Sequence, residues 1–136
     1  GYGERIAALG FPPLRGFLKG FVDMVFVVDG RWFIVDYKTN HLGDTAADYG
    51  RARLDEVMAR DHYVLQYHLY AIALRRFLAL RQPGFDPARD FGGIYYLFLR
   101  GMAPDLPPDV GIWHDRPSAA RLAALEAALA GKGGTR

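Results

Sequence analysis

The sequence contains no cysteine in its 136 residues, which excludes disulfide scaffolds, zinc–cysteine sites and iron–sulfur clusters. It has no apolar run approaching the roughly 18–20 residues of a membrane-spanning helix, and nothing that resembles a signal peptide. A chain without disulfides or a leader is expected in the cytoplasm. Lysine is scarce: apart from Lys19, Lys38 and Lys132 the basic side is all arginine. A large charge of either sign is also missing, with 17 basic and 15 acidic residues and a net charge of +2. That balance is compatible with a nucleic-acid partner without arguing for one. The chain begins at Gly1 with no initiator methionine, so it is expected to be a fragment of a longer polypeptide.

What is present is the material of one globular domain. Hydrophobic residues make up 51%, aromatics 14% and charged residues 24%, a balance that excludes a disordered tail and supplies a core. Residues 1–15 hold Pro12-Pro13 between glycines and predict an irregular entry segment. Residues 17–28 and 31–38 are rich in Val, Ile, Phe and Trp and flank Asp29-Gly30, a strong hairpin signal. Residues 39–50 predict a loop, 51–60 a helix, and 62–81 a longer helix with Leu65, Leu69, Ile72, Phe77 and Leu80 at helical spacing. Residues 82–93 predict a loop and the apolar run 94–99 a buried strand. Residues 100–116 predict another loop, containing Pro104, Pro107 and Pro108. Pro117 opens a last helix that stops at Gly131, and 132–136 predict a disordered tail. The result is an α/β layout, strand–strand–helix–helix–strand–helix.

The hairpin register follows from its turn. With Asp29 and Gly30 as loop residues, Val28 faces Arg31 and Asp23 faces Asp36 on one side of the sheet, Cβ atoms about 4.5–5.5 Å apart. Lys38 shares that side with Asp36, as do Val25, Val27, Trp32 and Ile34. The other side carries Val22, Met24, Phe26, Phe33, Val35 and Tyr37. Both faces are apolar, so the hairpin is expected to be covered on both. Two carboxylates about 5 Å apart at an effective dielectric near 20 repel by roughly 3 kcal/mol. Lys38 neutralises one charge and not both. A divalent ion would resolve the remainder, and Asp, Asp and Lys around such an ion suit metal-assisted phosphodiester hydrolysis. The plainer reading is an ion pair on a solvated strand face, and a one-residue slip of register would turn Asp36 away.

The stretch GFVDMVFVVDGRWFIVDYKTNHLG resembles the nuclease core of the PD-(D/E)XK superfamily, and more narrowly the C-terminal nuclease domain of the RecB family of exodeoxyribonuclease V subunits. HYVLQYHLYAIALRRFL and DFGGIYYLFLRG resemble the same domain in the same order, so the resemblance covers about residues 14–117. It implies a restriction-endonuclease-like α/β core, a mixed sheet with an antiparallel hairpin flanked by helices. It implies a partial nuclease domain over 1–136, its core about 14–131, incomplete at the N-terminus.

By that resemblance Asp23, Asp36 and Lys38 are the catalytic residues, and Asp23, Asp36 and the carbonyl of Tyr37 the metal ligands. Gln66 and Tyr70 match the family's QxxxY motif, which holds DNA beside the active site. Their i, i+4 spacing independently puts them on one helix face. The implied cofactor is Mg²⁺, with Mn²⁺ as a substitute; ATP would serve only a helicase elsewhere in the parent polypeptide. The implied activity is exodeoxyribonuclease action on linear double- and single-stranded DNA in bacterial double-strand break repair, with RecC-like and RecD-like subunits as partners.

The family's upstream metal-ligand histidine and first sheet strand have no counterpart here, so the fragment alone is expected to bind metal weakly or to be inactive. His41, just after Lys38, is the nearest histidine, and His62 lies one turn before Gln66, where it would meet a phosphate or solvent. Arg51, Arg53 and Arg60 would form a basic helix face near DNA or simply aid solubility. Two other classes stay open: a non-catalytic nuclease-like module for DNA contact or subunit docking, and a metal-free carboxylate pair of glycosidase type.

Overall fold

A computed structural model describes residues 22–131; the readings for 1–15, the first part of 17–28 and the tail 132–136 fall outside them. The hairpin forms from strand β1, Met24–Val28, and strand β2, Arg31–Lys38. Asp29 and Gly30 both adopt positive φ, 50° and 76°, the turn whose twist matches that of the flanking strands. Val28 therefore pairs with Arg31 and Met24 with Val35, in the register the turn predicts.

After β2 the chain crosses the sheet through helix α1, Arg51–Arg60, and helix α2, Tyr63–Arg81. It then makes a single helical turn α3, Pro87–Asp90, and strand β3, Phe91–Phe98. A crossover of this length is what a parallel pair requires, and β3 lies parallel to β2, Asp36 opposite Tyr96 and Lys38 opposite Phe98. Strand β4, Ile112–Asp115, pairs antiparallel with β3, and helix α4, Ala119–Gly131, ends the described chain. The sheet order is β1-β2-β3-β4, a mixed sheet flanked by helices. Among the described residues no helix is long and apolar enough to cross a membrane.

The core lies between one sheet face and the helices. Ile34 on β2, Ile94, Tyr96 and Phe98 on β3, and Trp113 on β4 meet Leu54, Val57 and Met58 of α1, Val64, Tyr67, Ala71 and Ile72 of α2, and Leu122 and Leu125 of α4. On the opposite sheet face a row of rings runs across all four strands: Phe26 on Phe33 at 5.1 Å, Phe33 near Tyr95 at 6.0 Å, and Tyr95 near His114 at 4.5 Å. Phe33 also covers Gly92, where a Cβ would come within 2.3 Å of its ring.

Four expectations are corrected. The segment 100–116 is not all loop: β4 hides in it, too short and half-polar to show a period, and made a strand by the free edge of β3. The 82–93 loop contains α3 and the first residues of β3; Asp86 caps α3 by accepting from the Ala88 N–H at 3.0 Å. The loop 39–50 contains a 3-10 turn, Ala46–Tyr49, anchored by buried Tyr49, whose hydroxyl accepts from Leu42 N–H at 3.1 Å. Finally, the hairpin is not covered on both faces. Met24, Val25, Val27 and Val28 are 38–48% exposed, because among the described residues β1 is the outer strand and the core contacts fall on β2, β3 and β4.

Helix α2 buries Ile72 as its spacing suggests, but otherwise a different set. Val64, Tyr67, His68, Ala71, Ile72 and Leu78 face inward, while Phe77 and Leu80 are 54% and 84% exposed. The helix is apolar on nearly every side, so its sequence does not choose a face.

Candidate active site

The open end of the hairpin brings the sequence-expected acidic and basic side chains together. Asp23 precedes β1, and its Oδ2 accepts a hydrogen bond from the Tyr37 backbone N–H at 2.9 Å, which fastens the carboxylate across the end of the ladder. Asp36 points from β2 into the helix-covered side and is 4% exposed. Lys38, two residues on, shares that face; its Nζ lies 2.7 Å from Asp36 Oδ2. Burial raises the Asp36 pKa above the ordinary carboxylate value, the Lys38 ammonium pulls it down, and the Asp23 charge adds to the rise.

Helix α2 closes the site from above. Gln66 Oε1 accepts from Lys38 Nζ at 3.3 Å and from the Tyr96 hydroxyl at 2.7 Å. Tyr70, one turn further along α2, is hydrogen-bonded to Gln66; its hydroxyl pKa is raised, first by burial and then by the Asp36 charge. The spacing that puts Gln66 and Tyr70 on one helix face thus brings both to the hairpin's carboxylates. Burial also raises the Tyr96 pKa, so the group stays a neutral hydroxyl.

The cluster has two carboxylates and one ammonium, a net deficit of positive charge. Asp36 Oδ2 is buried, with the Lys38 ammonium 2.7 Å away and the Asp23 carboxylate close enough to push the Asp36 pKa up. A buried oxygen left in this state, beside a second carboxylate, fits an oxygen-preferring divalent ion that takes one or two carboxylates and completes its shell with water and phosphate. Among the described residues no three His, Asp or Glu side chains converge as a metal cluster, so the donor set here is the Asp23–Asp36 pair.

The histidines stand apart. His41 Nε2 is 3.1 Å from Asp44 Oδ1 on an exposed loop. His62 is an exposed left-handed residue, φ 59°, that breaks α1 from α2. His68 is buried, its Nδ1 2.6 Å from the Val64 carbonyl. The three arginines of the first helix do not present free charge: Arg51 pairs with Asp55, Arg53 with Glu56 and Arg60 with Asp61.

The residues missed by sequence reasoning are Tyr63, Tyr96, Asn40 and Asp61. Tyr63 is three residues before Gln66, so the i, i+3 spacing of α2 puts it on the same helix face. Its hydroxyl lies 3.2 Å from Asn40 Nδ2, which also reaches Asp61 Oδ2 at 3.3 Å. Tyr96 carries no signal of its own; in the run IYYLFL only the parallel register makes it the neighbour of Asp36.

The mixed sheet thus gathers Asp23, Asp36 and Lys38 at its hairpin end, under helix α2. The sequence profile of the PD-(D/E)XK nuclease superfamily matches residues 3–131, and the chain belongs to that superfamily. Within it, the chain is similar to RecB subunits of the RecBCD enzyme. It is 48% identical over 132 residues to the Mycobacterium tuberculosis protein, covering 91% of this chain and 12% of that one. The corresponding identities are 44% for Haemophilus influenzae and 42% for Escherichia coli, over 88% and 90% of this chain. The chain spans only 10–12% of the length of these relatives.

Proposed function

We propose that this chain is the nuclease portion of a RecB-type subunit and hydrolyses DNA phosphodiester bonds in double-strand break repair and recombination. The observation that carries the reading is the buried Asp36 carboxylate beside that of Asp23, with the Lys38 ammonium 2.7 Å from its Oδ2. Asp23 and Asp36 would hold Mg²⁺, or Mn²⁺ in its place, with the Tyr37 carbonyl as a further oxygen donor. Bound there, the ion would supply Lewis acidity toward a phosphoryl oxygen and acidify a water. Lys38 would orient the attacking water or stabilise negative charge as it builds on the phosphate. Gln66 and Tyr70, on α2 above the carboxylates, would hold the DNA strand. The substrate would be linear DNA, in a complex with RecC-like and RecD-like subunits.

One observation favours a second reading, a non-catalytic module for DNA contact or docking: only two carboxylates converge among the described residues. Calorimetric titration of Mn²⁺ into the chain and into Asp36→Ala, followed by cleavage of linear DNA by the complete polypeptide, separates the two. Saturable binding lost in Asp36→Ala, with cleavage lost in the same variant, is the nuclease result. Binding without cleavage by the complete polypeptide is the result of the module.

A further inference from the structure

Hydrolysis at the Asp23–Asp36 pair leaves Tyr63 and Tyr96, the rings around Lys38, without a role. Tyr96 is fully buried, yet it carries a hydroxyl that a phenylalanine of the same shape would lack. That hydroxyl meets Gln66 Oε1 at 2.7 Å, and the same oxygen receives Lys38 Nζ at 3.3 Å. An ammonium group donates and never accepts, so the atom facing Lys38 has to be the amide oxygen. A Tyr96 hydroxyl donating to that oxygen holds the amide in this orientation.

The rings act on the same ammonium. Tyr63 and Tyr96 stack with centroids 5.6 Å apart and planes 14° from parallel. Lys38 Nζ sits 4.1 Å from the Tyr63 centroid and 5.3 Å from that of Tyr96, within the range of cation–π attraction. Lysine reaches its charge through a flexible four-carbon stem. Here that charge is bounded by Asp36 on one side and by two rings and an amide oxygen on the other.

We propose that Tyr96 is a positioning residue of the hydrolytic site: it fixes the Gln66 amide, and the amide with the Tyr63–Tyr96 rings fixes the Lys38 ammonium beside Asp36. The proposal rests on the nuclease reading of Asp36 and Lys38. It gives Gln66 an inward task, holding Lys38 through Oε1, in addition to any contact with DNA.

The test uses the complete polypeptide in its subunit complex, with Tyr96→Phe, Gln66→Leu and the double variant. Misplacement of a catalytic group acts on the chemical step. Tyr96→Phe is accordingly expected to lower kcat for linear DNA about tenfold, with KM for DNA and Mn²⁺ affinity unchanged. The double variant is expected to be no slower than Gln66→Leu alone, because Tyr96 acts through that amide. An effect of Tyr96→Phe on KM instead of kcat, or losses that add in the double variant, would overturn the proposal.

A second measurement does not depend on cleavage. Lys38 is labelled with an amine-reactive reagent in the absence of metal and DNA, and the modified peptide is quantified by mass. Tyr96→Phe is expected to speed labelling of Lys38 several-fold and to leave Lys19 and Lys132 unchanged; an unchanged Lys38 rate would overturn the tether. A wild type that cuts no DNA would refute the nuclease reading, and the labelling rate would still decide whether Tyr96 holds Lys38.

Discussion

Removing the Lys38 charge while keeping its stem, as in Lys38→Met, puts a number on the electrostatics of the site. The side chains of Asp36 and Lys38 are 5% and 15% exposed, with charges 2.7 Å apart. At an effective dielectric near 20 their attraction is about 6 kcal/mol, offset in large part by the cost of desolvating both. Taking away one partner of a buried pair leaves the other uncompensated, at a cost of about 3–5 kcal/mol. Lys38→Met is thus expected to lower the unfolding free energy of the chain by that amount at pH 7, measured by urea denaturation without metal.

The sign of the pH effect follows from Asp36, whose folded pKa is already raised by burial and rises further when Lys38 is gone. A group with a raised folded pKa contributes stability that is fully present below its unfolded value and is lost as pH rises through the folded one. The deficit of Lys38→Met is therefore expected to shrink as pH falls and Asp36 takes up a proton. Two carboxylates without their lysine would also bind Mn²⁺ more tightly. An ion at a hundredfold excess over its Kd adds about 2.7 kcal/mol to the folded state, which offsets much of the loss. A deficit below about 1 kcal/mol, or one equal at pH 4 and pH 7, would refute the reasoning, since Lys38 would then not be the charge that compensates Asp36.

Three further perturbations probe the scaffold. His68 is buried and its pKa is depressed, first by desolvation. Its share of stability should be complete above the ordinary imidazole value of 6.5 and be lost as pH falls through the depressed one, a slope that His68→Gln should reduce in urea titrations, His114 keeping its own share. Gly30 has φ +76° with open space around a would-be Cβ, so Gly30→Ala carries only backbone strain and should cost about 1 kcal/mol by thermal unfolding. Leu54 is 0% exposed and Leu80 84%. Chemical denaturation should find Leu54→Ala destabilised by about 2–5 kcal/mol and Leu80→Ala within about 0.5 kcal/mol of the parent.

Local chemistry determined a good part of this protein. Asp29-Gly30 dictates a turn with two positive φ angles, the turn dictates the register, and the register carries Asp36 and Lys38 to one face and brings Asp23, just before β1, to the same end. Helix α1 occupies residues 51–60 as its periodicity predicts, and the i, i+4 spacing of Gln66 and Tyr70 aligns them before any packing is known. Each of these rests on interactions between residues close in the chain, or paired through a two-residue turn.

The remainder was decided by tertiary structure. Helix α2 is apolar on nearly all sides, so the face it buries was set by the sheet it lies on. Strand β4 has four residues and no period of its own, and exists because β3 offers it an edge. Among the described residues the sheet's order leaves β1 at the rim, where its valines are exposed although a two-sided apolar pattern would have buried them. Tyr96 becomes the partner of Gln66 and Lys38 only because parallel pairing sets Asp36 beside it. No periodicity in the sequence encodes contact between residues that distant; the crossover helices bring them together, and with them the surroundings of the one lysine in the site.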